Sequence, residues 1–173
     1  MSIPPEDKDW TWVLQRPCSE CGYDAAAVEP TAVGARVRAS LPLWQQALTR
    51  PDAGVRPDPQ VWSALEYGCH LRDVVRLFDE RLRLILAQDD PQFADWNPDT
   101  AALEGRYGEQ DPAAVARSLS SAGHALADRF DAVPDDAWAR PGRRSDGAAF
   151  TVGSLGRYFL HEVEHHLHDA RPR

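Results

Sequence analysis

Apolar residues along the chain recur at helical intervals. Between residues 31 and 49, Val33, Val37, Leu41, Trp44 and Leu48 fall at steps of three or four and define one amphipathic face. Pro42 stands inside this pattern and is expected to kink or divide the helix, because it has no amide to donate and its ring crowds the preceding turn. A second helix is predicted over 58–87, opened by Asp58 as cap and Pro59 at the first helical position, with Tyr67, His70, Val74, Leu77 and Phe78 on its stripe. The third opens in the same way at Asp111 and Pro112 and carries Val115, Leu119, Ala122, Leu126 and Phe130 on one side. The fourth starts near Thr151 and must stop before Pro172. No segment shows the alternation that a strand-rich fold needs. A chain of 173 residues fits one domain. The expectation is an all-α fold: a four-helix bundle over 31–173 with two long connections, preceded by an irregular arm over 1–30. The connections, 88–110 and 131–150, should cover one end of the bundle.

Composition narrows the partners. The chain is 43% hydrophobic and 27% charged, ordinary for a globular protein, and its net charge of -8 argues against a nucleic-acid binder. No apolar run is long enough to span a membrane, and the acidic, proline-bearing start lacks the apolar core of a secretory signal. Three cysteines do not make a disulfide framework, so a reducing cytoplasm is expected. Six tryptophans, Trp10 and Trp12 among them, leave room for a homodimer.

Chemistry gathers near the C-terminus, where "FLHEVEHHLHD" (159–169) holds four of the six histidines. At about 100° per residue, His161 and His165 lie roughly 40° apart on one helix face, the spacing that lets two imidazoles reach one metal ion. His166 points well away and Glu162 is turned aside. His166 therefore reads as a surface residue near a helix C-terminus, where positive charge is favourable. His168 fits either the ligand face or that surface role. His70 occupies a position on the second helix where a hydrophobe is expected. A lone core histidine is more often hydrogen-bonded structure than ligand, but here a second helix supplies two more imidazoles. His70, His161 and His165 are thus the expected metal ligands, a set of the kind found in catalytic centres with open positions. His124 has no matching partner and reads as non-functional.

Arg157, four residues before His161, and Tyr67 and Tyr158, each three residues before a proposed ligand, are candidates for substrate contact. Arg140, Arg143 and Arg144 form either an anion-receiving loop or an ordinary solvated one. Glu66 and Asp73 flank His70, and either is placed to orient an imidazole. Cys18 and Cys21 form a Cys-x-x-Cys pair, a second metal or redox candidate or an incidental pair. It has neither a second cysteine pair nor a βαβ context, so the arm would have to borrow ligands from the bundle or from a second chain. Cys69, turned about 100° from His70, reads as packing.

His70 together with "HEVEH" (His161, His165) resembles the metal triad of the DinB/YfiT-like superfamily, which includes actinobacterial mycothiol-dependent maleylpyruvate isomerase-like proteins and thiol S-transferases. The resemblance runs over about residues 31–170. "WNPDTAALEGRYGEQDP" and "RSDGAAFTVGSLGRYFLHEVEHHLHD" look like actinobacterial members. It implies a four-helix bundle holding a divalent metal, commonly zinc or nickel, with a low-molecular-weight thiol of the mycothiol type as cosubstrate. The isomerase branch tends to have a glutamate where His161 stands, so His161 points to a three-histidine branch. Three neutral imidazoles would leave the metal its full charge, so a bound thiol would lose its proton near neutral pH and attack a small electrophile. With water in place of the thiol, the same site would act as a hydrolase. A non-catalytic metal-binding bundle is the reading from another class. Imidazole ligands do not by themselves choose among zinc, nickel and iron.

Overall fold

The computed structural model describes residues 9–171. The first eight residues of the expected arm, and Pro172 as a helix stop, lie outside the described residues. The predicted bundle forms from α1 (Val33–Thr49), α2 (Ala64–Ala87), α4 (Pro112–Asp131) and α5 (Val152–Asp169), with a short α3 (Pro98–Glu104) inside the connection from α2 to α4. α1 packs on α4, α4 on α2, α2 on α5, and α5 back on α1. The chain neighbours α1 and α2 therefore stand diagonally across the bundle. This arrangement sets α2 and α5, which carry His70 and the histidine-rich stretch, side by side.

The helix ends follow local chemistry. α2 begins at Ala64, later than Asp58 suggested, because Ser63 and Glu66 form a capping box: the Ser63 hydroxyl accepts from the Glu66 amide (3.2 Å) and the Glu66 carboxylate from the Ser63 amide (2.8 Å). Asp58 instead accepts from the Gln60 amide (2.8 Å) in a preceding turn. α4 opens at Pro112 with Asp111 accepting from the Ala113 and Ala114 amides, as expected. α5 opens on a second reciprocal cap, Thr151 with Ser154. α1 runs on through Pro42, so of the two expected outcomes, a kink or a division, the division does not occur. The proline is exposed, while Leu41 and Trp44 beside it are buried and hold both flanking turns in the core. Gly34 lets α1 approach α4 closely, since a Cβ there would lie 2.8 Å from the Ala127 carbonyl oxygen.

The two long connections join through a small sheet that the sequence pattern does not show: β1 (Gln92–Phe93), β2 (Pro141–Arg144) and β3 (Ala149–Thr151). β1 pairs with β2 in parallel, and β2 with β3 antiparallel. Strands of two to four residues are too short for an alternating pattern to register. Arg140 ties this sheet to the end of α2, donating to the Ile85 and Gln88 carbonyls at 2.9 Å each. The arm packs onto the bundle: its Val13, Cys18, Tyr23, Ala25 and Val28 are buried in the same core as the helices. Among the described residues, no helix is long and apolar enough to cross a membrane.

Candidate metal centre

α5 has neighbours on several sides, α1, α2 and the arm. Its buried and half-buried positions accordingly extend beyond one stripe, and the histidines sort onto two adjoining faces. His161 and His165 turn toward the arm, where they meet Cys18 and Cys21; Glu162 and His166 turn toward α2, where they meet His70. Within each group, one ligand atom per residue lies within 4.8 Å of the others. The expected trio of His70, His161 and His165 is therefore divided between two clusters. His166 is no surface residue: its side chain is 18% exposed and it faces His70 across a ring-centroid distance of 4.7 Å.

The spacing within the α2–α5 cluster is informative. Oε2 of Glu162 lies 3.6 Å from Nε2 of His70 and 3.4 Å from Nε2 of His166. Two ligand atoms about 2.1 Å from a common tetrahedral ion are themselves about 3.4 Å apart. Both ring nitrogens of His70 are buried with no hydrogen-bond partner, a condition that costs about 1–3 kcal/mol per group if nothing binds them. The donor set of two imidazoles and a carboxylate fits a divalent cation. The His166 Nδ1 faces Asp169 Oδ2 at 3.3 Å, which leaves Nε2 free to coordinate. Burial lowers the pKa of His70 despite the Glu162 carboxylate beside it. For His166, burial disfavours the charge, but Asp169 and Glu162 win and raise its pKa to about 9. Burial likewise opposes ionisation of Glu162, and the His166 and His70 rings overcome it and hold the carboxyl well below its usual range.

This cluster forms part of the lining of a cavity of about 740 Å³. Trp62 and Trp96 flank His70 at ring-centroid distances of 5.4 and 5.5 Å, and Tyr67 stacks on His166 at 5.3 Å. Arg81, Arg144 and Tyr158 also line the cavity. Arg81 is 3% exposed, donates through Nη2 to the Ala94 carbonyl (3.0 Å), and keeps a buried Nε without a partner. Burial and the nearby Arg144 lower its pKa to about 10, which still leaves it charged at neutral pH. Burial and the Glu162 charge raise the pKa of Tyr158, so its hydroxyl stays protonated and able to donate. A charged, partly unpartnered guanidinium beside a retained hydroxyl suits an anionic group on a ligand.

Of the expected substrate contacts, Tyr67, Tyr158 and Arg144 line the cavity, and Arg157 and Arg143 do not. Arg157 points to the arm, where its Nε donates to the Val28 carbonyl (2.8 Å) and its own carbonyl accepts from the Tyr23 hydroxyl (2.6 Å). Arg143 is an exposed strand residue paired with Asp90. Neither flanking acid orients an imidazole: Glu66 caps α2, and Asp73 accepts from the Tyr107 hydroxyl at 2.7 Å. Cys69 is buried packing, and His124 and His168 are exposed. Sequence reasoning missed Glu162, His166 and Arg81. The first two share the spacing of His161 and His165 one residue on, and Arg81 is a charged residue in line with Val74, Leu77 and Phe78.

A helical bundle with a histidine–carboxylate cluster between adjacent helices defines a class of metal-binding bundle protein. The chain belongs to the DinB superfamily, whose model matches residues 29–170. Its fold is similar to that of a Bacillus subtilis protein, YfiT, described as a probable metal-dependent hydrolase with an unusual four-helix bundle topology (TM-score 0.68, 16% identity, 96% of this chain and 89% of that one). No curated protein matches the chain in sequence.

Proposed function

We propose that this protein is a divalent-metal-dependent enzyme that transfers a low-molecular-weight thiol onto a small electrophile bearing an anionic group. The carrying observation is the convergence of His70 with Glu162 and His166 in the lining of a cavity of about 740 Å³, which has room for a substrate beside a cosubstrate. His70, Glu162 and His166 would hold the metal, in place of the expected set of His70, His161 and His165. A bound divalent cation supplies Lewis acidity that lowers the pKa of a thiol or of water. Zinc, nickel and iron all suit two imidazoles and one carboxylate. Arg81 and Arg144 receive the anionic group, Tyr158 donates a hydrogen bond to it, and Trp62 and Trp96 restrict water.

Hydrolysis is the second reading, favoured by the description of YfiT and by the same donor set. The test is turnover of carboxylate-bearing electrophiles with and without added thiol, by wild type and by His70→Ala and His166→Ala. Both variants should lose one metal equivalent and about 100-fold or more in kcat. Turnover that ignores added thiol selects the hydrolase, and full activity in both variants removes the metal mechanism.

A further inference from the structure

We infer that Cys18, Cys21, His161 and His165 form a second, closed metal site: a structural zinc that clasps the arm to α5. It stands independently of the reading of the cavity cluster. The arm residues reach α5 through a tight turn, in which the Cys18 amide donates to the Tyr23 carbonyl (2.8 Å) and the Gly22 amide to the Cys18 carbonyl (2.9 Å). Gly22 closes it at φ +79°, a backbone conformation that side-chain-bearing residues seldom adopt. The four ligand atoms lie within 4.8 Å of one another. Cys18 Sγ is 3.8 Å from His165 Nδ1, near the separation of about 3.6 Å that sulfur and nitrogen have around one tetrahedral zinc.

A second observation points to a ligand independently. His161 is 1% exposed, and both of its ring nitrogens are buried without a hydrogen-bond partner. The rings around it, Trp10 at 5.2 Å and Tyr23 at 5.6 Å, leave little access for water. Two thiols and two imidazoles complete a tetrahedral shell, the closed form of structural zinc sites. Binding Zn²⁺ displaces the two thiol protons to solvent, so the resulting bis-thiolate, bis-imidazole centre is neutral and tolerates burial.

The site adjoins the cavity. Asp169 Oδ2 lies 3.6 Å from His165 Nε2 and 3.3 Å from His166 Nδ1, so one carboxylate sits behind a histidine of each cluster. Trp10 and Glu20, carried by the clasped arm, line the cavity.

The test is metal content together with X-ray absorption at the zinc edge, on full-length protein purified with zinc and reductant. Wild type should hold two equivalents. His70→Ala should hold one, with sulfur at about 2.3 Å and nitrogen at about 2.0–2.1 Å in equal numbers. Cys18→Ser/Cys21→Ser should lose that equivalent and its sulfur scattering. Cobalt substitution of His70→Ala, read by its thiolate charge-transfer band, answers the same question if the cysteine variant does not fold. A shell without sulfur, an unchanged shell in the folded cysteine variant, or a Cys18–Cys21 disulfide in place of metal overturns the inference. Failure of the cavity cluster alone would instead show as one equivalent in wild type, carried on sulfur.

Discussion

Arg81 concentrates the chemistry of the cavity in one side chain. It lies among apolar positions of α2, over the rings of Phe78 (5.4 Å) and Phe93 (5.0 Å), with no carboxylate paired to it among the described residues. A buried charge without such a partner is a poor stabiliser, and its replacement by an apolar side chain is often neutral or stabilising. Arg81→Leu should hold or raise the thermal midpoint while weakening binding of carboxylate ligands about 10–100-fold, the loss of about 1.4–2.8 kcal/mol of charged hydrogen bonding. Calorimetric titration with a carboxylate ligand, beside a melting curve, checks both halves. A large drop in stability with unchanged anion affinity would make Arg81 a structural residue.

At the scale of the element, the start of α2 depends on Glu66. Its carboxylate takes the Ser63 amide and the Arg56 guanidinium (Nε to Oε2, 2.9 Å). Burial opposes this charge, but Arg56 and Ser63 win and hold the carboxyl below its usual range. A depressed carboxyl contributes stability that is fully present above the unfolded pKa of about 4.3 and fades as the pH falls through the folded value. Glu66→Gln should therefore be less stable than wild type near neutral pH, and the gap should narrow on acidification below about 4.3. Urea midpoints across that range measure it, and a gap independent of pH would mean that the carboxylate charge contributes nothing. The same helix carries His70 one turn further on, so fraying at this cap would reach that histidine.

At the scale of the molecule, the arm and bundle share one core and, on the inference above, one metal. A ligand present at a thousandfold its Kd adds about 4 kcal/mol to the folded state. A strong chelator should accordingly release the arm before the bundle opens. Hydrogen exchange is expected to rise first over residues 13–28, with the amides of α2 and α4 still protected. Uniform loss of protection across the chain would mean that the arm does not depend on metal.

The helices, the Asp111 cap of α4 and the chain's place among metal-binding bundles were legible in the residues themselves. Amphipathic spacing, Asp111 with Pro112 and the capping residue Thr151 act within a turn or two of the backbone. The capping box that delays α2 to Ala64 is also local, though Asp58 with Pro59 competes with it as a signal. The isolation of His70 on an apolar stripe was equally plain. How the histidines divide was not. Helical arithmetic groups His161 with His165 and Glu162 with His166 equally well, and only the rotation of α5 between α2 and the arm decides which pair meets His70. That rotation is set by how the whole core packs, through contacts such as Phe159 on Phe78 and Phe130 and the Tyr23–Arg157–Val28 tie. Spacing along one helix therefore determined which ligands stand together, and the tertiary structure decided which partner each pair faces.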